Sequence, residues 1–185
     1  QGSQIGYSHR DAAARDGLMQ LCAGAFDLDA QRGRRFGTSL GVSEDRCYGD
    51  YVSMFAAEAA RPDGIQVVSV ATPNSSHYAI CEAALQAGLH VICEKPLTTR
   101  LEEALALQAL AQAKGLVLGV MYGYTGYEMV QQARAMVQGG ELGALRVVQM
   151  QFAHGYHATA VEEADPGTRW RVTPAVSGSS YVLGD

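Results

Sequence analysis

In the stretch HVICEKPLTT (90–99), the pair Glu94-Lys95 stands directly behind an apolar run and directly before a proline. Burying an ammonium group is costly, so a lysine at a buried strand end calls for a role. In open parallel sheets ligands bind beyond the carboxyl ends of the strands. A lysine on that edge donates hydrogen bonds to a substrate hydroxyl or to a nicotinamide ribose. Partial burial beside a ligand would also lower its pKa from about 10.4 toward neutrality. Taken alone, Lys95 reads better as a surface lysine opening a loop, and it is the alignment with other strand ends that favours a site.

Other groups fall at matching places. ATPNSSH (71–77) closes a β-branched run, which puts Thr72, Pro73 and Asn74 where a cofactor crossing strand ends would pass. His77, one turn into the next helix, is either a contact or a capping neighbour. The opening QGSQIGYSHRDAAARDG reads as a glycine-rich turn running into a helix that ends at Gly17. There Gly2, Ser3, Ile5 and Gly6 would bring backbone N–H groups to a pyrophosphate at a helix N-terminus. Gly2 and Gly6 are spaced G-x-x-x-G instead of G-x-x-G, and the leading glycine of such a fingerprint would precede Gln1. An ordinary loop is the plain alternative.

A dinucleotide site also needs an acid about 20 residues further on, at the end of the second strand, to accept hydrogen bonds from the adenosine ribose. Asp27 lies 21 residues past Gly6, immediately after LCAGAF. Its other reading is a helix cap, which Asp29 could equally fill. A carboxylate there repels a 2′-phosphate and favours NAD. Arg32, Arg34 and Arg35 keep NADP open, although a solvated helix face also explains them.

These groups need a scaffold of alternating strands and helices. LMQLCAGAF (18–26), IQVVSVATP (65–73), LHVIC (89–93) and LVLGVMY (116–122) read as strands. Helices are expected over 29–41, with Phe36 and Leu40 on one face, and over 75–88, with a serine cap and a closing Gly88. A third, over 99–115, has Thr99 and Glu102 at capping-box spacing and Gly115 at its end. Continuous apolar strands between amphipathic helices imply an α/β fold, a parallel sheet covered on both faces. A first strand should precede the opening turn, so the chain reads as beginning one strand late. Beyond about 122 the character changes. A helix is expected over 125–140 with Met129, Ala133, Met136 and Val137 on one stripe. A strand follows over 144–154, where Val147, Gln149 and Gln151 face opposite to Val148, Met150 and Phe152. Residues 1–122 thus form one domain and 123–185 the start of a second, truncated one.

The 185 residues are 48% hydrophobic and 18% charged, which fits a folded core. A net charge of −5 argues against a nucleic-acid partner, which usually needs a basic face. No apolar run approaches the roughly 20 residues needed to span a bilayer, so no membrane partner is expected. Cys22, Cys47, Cys81 and Cys93 are scattered without a C-x-x-C pair. They read as buried reduced thiols and not as metal ligands, which favours a reducing compartment, the cytoplasm. The chain opens at Gln1 without a methionine, so an excised signal or anchor stays open.

VATPNSSHYAICEAALQAGLHVICEKPLT (70–98) closely resembles the nucleotide-binding half of the Gfo/Idh/MocA oxidoreductases, the glucose–fructose oxidoreductase and inositol dehydrogenase group. The T-P-N-x-x-H segment, A-G-x-H-V and E-K-P at this spacing carry the likeness. It extends to GSQIGYSHR, the GELG turn, WR at 170–171 and the terminal GD. The resemblance implies a Rossmann-type doubly wound sheet, then an α/β domain with a large, mainly antiparallel open sheet, assembled as homodimers or homotetramers. It implies NAD(P)-dependent oxidation or reduction of a sugar, polyol or related carbonyl. Glu94 and Lys95 match the family's pair beside the cofactor, with Lys95 next to nicotinamide and substrate and ahead of a cis-proline, here Pro96. Trp170 and Arg171 match its W-R pair near the cofactor, and Tyr124 a substrate or cofactor contact. Asp185 matches the catalytic and substrate-facing aspartate of a G-D-x-x-x-H motif, whose acid/base histidine lies past the end of this sequence. The family also contains non-catalytic dinucleotide-binding sensors, a second reading of the same fold.

Overall fold

The computed structural model describes residues 4–151, 155, 158–160, 163 and 165–178. Three short strands, β1 (Val67–Val70), β2 (His90–Cys93) and β3 (Leu118–Val120), form a parallel sheet in the order β1-β2-β3. Val70 pairs with Cys93, and Cys93 with Val120, so all three strands end on one edge. Seven helices lie among the described residues: α1 (Gln4–Ala14), α2 (Ala30–Ser39), α3 (Tyr51–Ala59), α4 (His77–Gln86), α5 (Leu101–Lys114), α6 (Glu128–Gln138) and α7 (Pro174–Ser177).

Strand alternation sorts the faces. Val68, Val70, Val91 and Cys93 are buried on one face and share a core with Ile80, Cys81, Ala84 and Leu85 of α4 and Leu107 and Ala111 of α5. Fully burying Leu85 and Leu107 contributes about 1.5–3 kcal/mol each. Ser69, of opposite parity, meets His9 of α1 on the other face, so helices flank both sides of the sheet. This is the doubly wound arrangement expected above. Gly115 ends α5 with φ of 64°, a left-handed position that favours glycine.

Several elements differ from the sequence reading. Residues 18–26 form no strand ladder. Gly24 makes a single parallel bridge to Cys47, and the segment pairs on that side alone among the described residues. Its apolar character predicted a strand, but a strand persists only against neighbours that satisfy its backbone. The same reason applies to 144–151, which form no strand and expose Val147, Val148 and Met150, so no antiparallel sheet occurs among the described residues. Residues 152–154 of that expectation lie outside them. In α6 the apolar stripe is not buried, with Met129 and Val137 both exposed.

Helix starts also shift. Thr99 and Glu102 form no capping box, because α5 begins at Leu101 behind Arg100. Ser76 makes no side-chain capping bond to α4; its hydroxyl donates to the Pro73 carbonyl at 2.7 Å and lies 2.8 Å from the Thr72 hydroxyl. Asp29 caps α2 by accepting from the Arg32 N–H at 2.9 Å. The region 42–64, to which the sequence reading assigned nothing, holds α3, capped by Asp50. Beside it lies a buried network in which Glu58 accepts from the Arg46 guanidinium, from Tyr48 Oη at 2.8 Å and from the Ile65 N–H at 3.2 Å. All four cysteines are free thiols, three of them buried and Cys22 half-buried. Among the described residues no helix is long and apolar enough to cross a membrane.

Candidate active site

The common edge of the sheet gathers three loops: Thr72–Asn74 after β1, Glu94–Pro96 after β2, and a 3-10 turn at Gly123–Gly126 after β3. Glu94 is buried, and its carboxylate accepts from His9 Nε2 at 2.9 Å and from the Lys95 N–H at 3.1 Å. His9 Nδ1 contacts Ser69 Oγ at 2.6 Å, so one imidazole joins α1 to both β1 and the Glu94 carboxylate. Burial alone would push the Glu94 carboxyl up. The bonds from His9 and the Lys95 amide, with the charges of His9 and Lys95, outweigh it and hold the group below the usual range.

Lys95 is half-buried and precedes the cis peptide bond to Pro96. Burial lowers its pKa below the ordinary lysine value. The charge of Glu94 works against that shift, and the charge of Arg171 adds to it. Arg171 therefore acts electrostatically on Lys95. Its guanidinium lies over the Trp170 ring, 4.8 Å from the centroid. A further tie to the same C-terminal segment runs from Asn74 Nδ2 to the Ser177 carbonyl at 3.1 Å, both residues being buried.

His77 is fully buried, with Nε2 2.8 Å from the Thr72 carbonyl and Nδ1 2.8 Å from the Pro96 carbonyl. Both ring nitrogens are engaged by backbone, so His77 clamps the β1 loop to the β2 loop and presents no polar atom to a ligand. It is the first residue of α4, directly behind Ser76.

The other expected groups sit as follows. Ile5 and Gly6 lie inside the first turn of α1, not in a turn ahead of it. The first backbone N–H groups of a helix have no intrahelical partner, so the segment still offers donors. Asp27 stands just ahead of α2. It accepts from Arg32 Nε and Nη2, each at 2.6 Å, and from the Asp29 N–H at 2.9 Å. The Arg32 bond, followed by the Asp29 N–H, holds the Asp27 carboxyl down at about 2. Arg10 of α1 lies 5.6 Å from the Phe36 ring centroid, which sets α1 beside α2. Tyr124 occupies the turn after β3, exposed, its ring 5.7 Å from that of Tyr127. Gly2, Ser3 and Asp185 lie outside the described residues. A concavity of about 650 Å³ lined by Arg34, Glu44, Asp45, Cys47, Tyr48 and Gly49 takes in none of Asp27, Asn74 or Lys95. No group of three or more His, Cys, Asp or Glu side chains is placed to hold a metal ion among the described residues.

The sequence reading missed His9. It lies 85 residues from Glu94, and the one available signal was an imidazole within the helix that follows the glycine-rich opening. The structure thus shows an ionised carboxylate at Asp27, a helix start with backbone N–H donors at Ile5 and Gly6, and a partly desolvated ammonium at Lys95 beside the buried Glu94.

Comparison with known proteins identifies the family of the fold. The chain is 54% identical to an uncharacterized oxidoreductase, YfiI, of Bacillus subtilis over 99% of its own length and 47% of that protein. It is 32% identical to a levoglucosan dehydrogenase of Pseudarthrobacter phenanthrenivorans, over 86% of this chain and 37% of that one. An inositol dehydrogenase homolog from Azotobacter vinelandii, solved with NAD+, superposes with a TM-score of 0.94 at 59% identity, over 100% of this chain and 48% of that one. The chain thus spans less than half the length of each of these relatives. Residues 2–122 match the oxidoreductase family with an NAD-binding Rossmann fold, and the chain belongs to that family, Gfo/Idh/MocA.

Proposed function

We propose that this chain is the dinucleotide-binding portion of an NAD-dependent dehydrogenase that oxidises a secondary hydroxyl of a cyclic sugar or polyol. The observation that carries this reading is the placement of Lys95, half-buried on the carboxyl edge beside the buried Glu94. NAD along that edge would supply the hydride acceptor. The N-terminal turn of α1 offers N–H donors to the pyrophosphate, and Asp27 accepts from the adenosine ribose hydroxyls. Asp27 next to that ribose disfavours a 2′-phosphate, so NAD is preferred to NADP.

At the other end Lys95 Nζ donates to the reacting oxygen and stabilises the charge that grows there as the hydroxyl proton leaves. Its lowered pKa suits it to exchange that proton, and Asp185 is assigned to the relay. Glu94 anchors the Lys95 backbone, Arg171 tunes the Lys95 charge, and Tyr124 borders the substrate. The related Azotobacter vinelandii structure solved with NADH and myo-inositol, at 57% identity and a TM-score of 0.89, supports the polyol class.

The test is Lys95→Met in the full-length protein, assayed against a panel of polyols and sugars. Turnover should fall by about 10²–10⁴-fold, the range for losing a positioned acid–base group, while NAD affinity stays. Unchanged turnover would take Lys95 out of the mechanism.

A further inference from the structure

We propose that Arg32 is a specificity-determining latch on the Asp27 carboxylate, so that the pair, and not Asp27 alone, sets the choice between NAD and NADP. The inference rests on the ribose role assigned to Asp27 above. It follows from counting acceptor positions. A carboxylate has about four lone-pair sites. On Asp27, Oδ1 receives Arg32 Nη2 at 2.6 Å and the Asp29 N–H at 2.9 Å, and Oδ2 receives Arg32 Nε at 2.6 Å. One position remains, on Oδ2. A ribose diol brings two hydroxyl donors, so both cannot pair with Asp27 while Arg32 holds its fork.

The latch is built to open. The Arg32 backbone N–H is fixed by Asp29, so only the side chain need move. That side chain is 59% exposed, and water can take over its guanidinium N–H groups. The Asp29 N–H bond to Oδ1 survives the movement and keeps the carboxylate oriented toward the diol. The neighbouring Arg34 is differently engaged: it pairs with Glu44 at 3.4 Å, on the opposite side from Asp27 in sequence.

The same pairing governs the 2′-phosphate. While Asp27 holds Arg32, an incoming phosphate meets a neutralised pair and a nearby carboxylate. Without Asp27, the guanidinium keeps its full charge and a bidentate donor geometry suited to phosphate. Asp27 thus has two roles, receiving the diol and withholding Arg32 from a phosphate.

Dissociation constants for NAD and NADP in the full-length protein test this across wild type, Arg32→Ala, Asp27→Ala and the double variant. Arg32→Ala should bind NAD about two- to fivefold more tightly, the worth of an exposed ion pair no longer displaced. Asp27→Ala should bind NAD about ten- to a hundredfold more weakly, having lost charge-assisted hydrogen bonds. It should also bind NADP more tightly than wild type does. The double variant should lose that NADP gain. Unchanged or weaker NAD binding in Arg32→Ala, or equal NADP binding by Asp27→Ala and the double variant, overturns the latch while leaving the ribose role of Asp27 intact. If Asp27→Ala leaves NAD binding as it is in wild type, the ribose role fails and the latch fails with it.

Discussion

The two ends of the proposed cofactor track handle charge in opposite ways. At the α2 end, Asp27 and Arg32 form an ion pair in which the arginine side chain stays mostly in water. At the β2 end, His9 and Glu94 pair with side chains only 7% and 11% exposed, and the half-buried Lys95 is pushed down by its surroundings. Exposed pairs contribute little to stability and rearrange at low cost. Buried ionic groups are expensive to disturb and hold their geometry. One end is therefore suited to exchanging partners when a ligand arrives, the other to holding a reacting atom in place.

The largest expected effect lies at the buried end, where the loss of turnover in Lys95→Met should leave the dissociation constant for NAD unchanged. A similar loss of turnover in Asp27→Ala at saturating NAD would erase the distinction between the ends.

Glu94→Gln is expected to act next most strongly. The amide removes a charge that raises the Lys95 pKa, so the alkaline limb of kcat/KM should move to lower pH. It also replaces the charge-assisted bond from His9, at a cost of about 1–3 kcal/mol read as a lower Tm. A pH profile identical to wild type would detach Glu94 from the lysine.

A smaller effect separates the ends by pH. The folded-state pKa of Asp27 lies below the ordinary carboxylate value, at about 2. Its pairing therefore persists at all pH values above the ordinary range and is lost only as pH falls toward that folded value. NAD affinity should show no titration from Asp27 between about pH 5 and 9, since an ordinary aspartate has already ionised there. Lys95, lowered from its usual value, should instead place the alkaline limb of turnover below about 10.4. Titration calorimetry and initial rates across that window check both.

Much of this was legible in the sequence, for physical reasons. The three strands of the sheet are β-branched or apolar runs, buried on one face in β1 and β2 and half-buried in β3, and Gly115 marks a helix end that only its backbone freedom explains. Lys95 and Asn74 were placed because strand ends in a parallel sheet share an edge. What could not be read depends on partners distant in sequence. The apolar segment 18–26 looked like a strand, but hydrophobicity does not supply the second neighbour that a ladder needs. The alternation over 144–151 failed likewise. The motif leaves His77 open between a contact and a capping neighbour, and only the fold shows two backbone carbonyls from separate loops taking both its nitrogens. His9 with Glu94 and Arg46 with Glu58 are contacts that no local pattern encodes.

The most direct test of the division between the ends is a paired measurement on the full-length protein of the single-turnover rate with saturating NAD and of the NAD dissociation constant, in Lys95→Met and Asp27→Ala. A collapsed rate with unchanged affinity in the first, and weakened affinity with a near-normal rate in the second, is the predicted result. Weakened NAD binding with a normal rate in Lys95→Met would contradict the account.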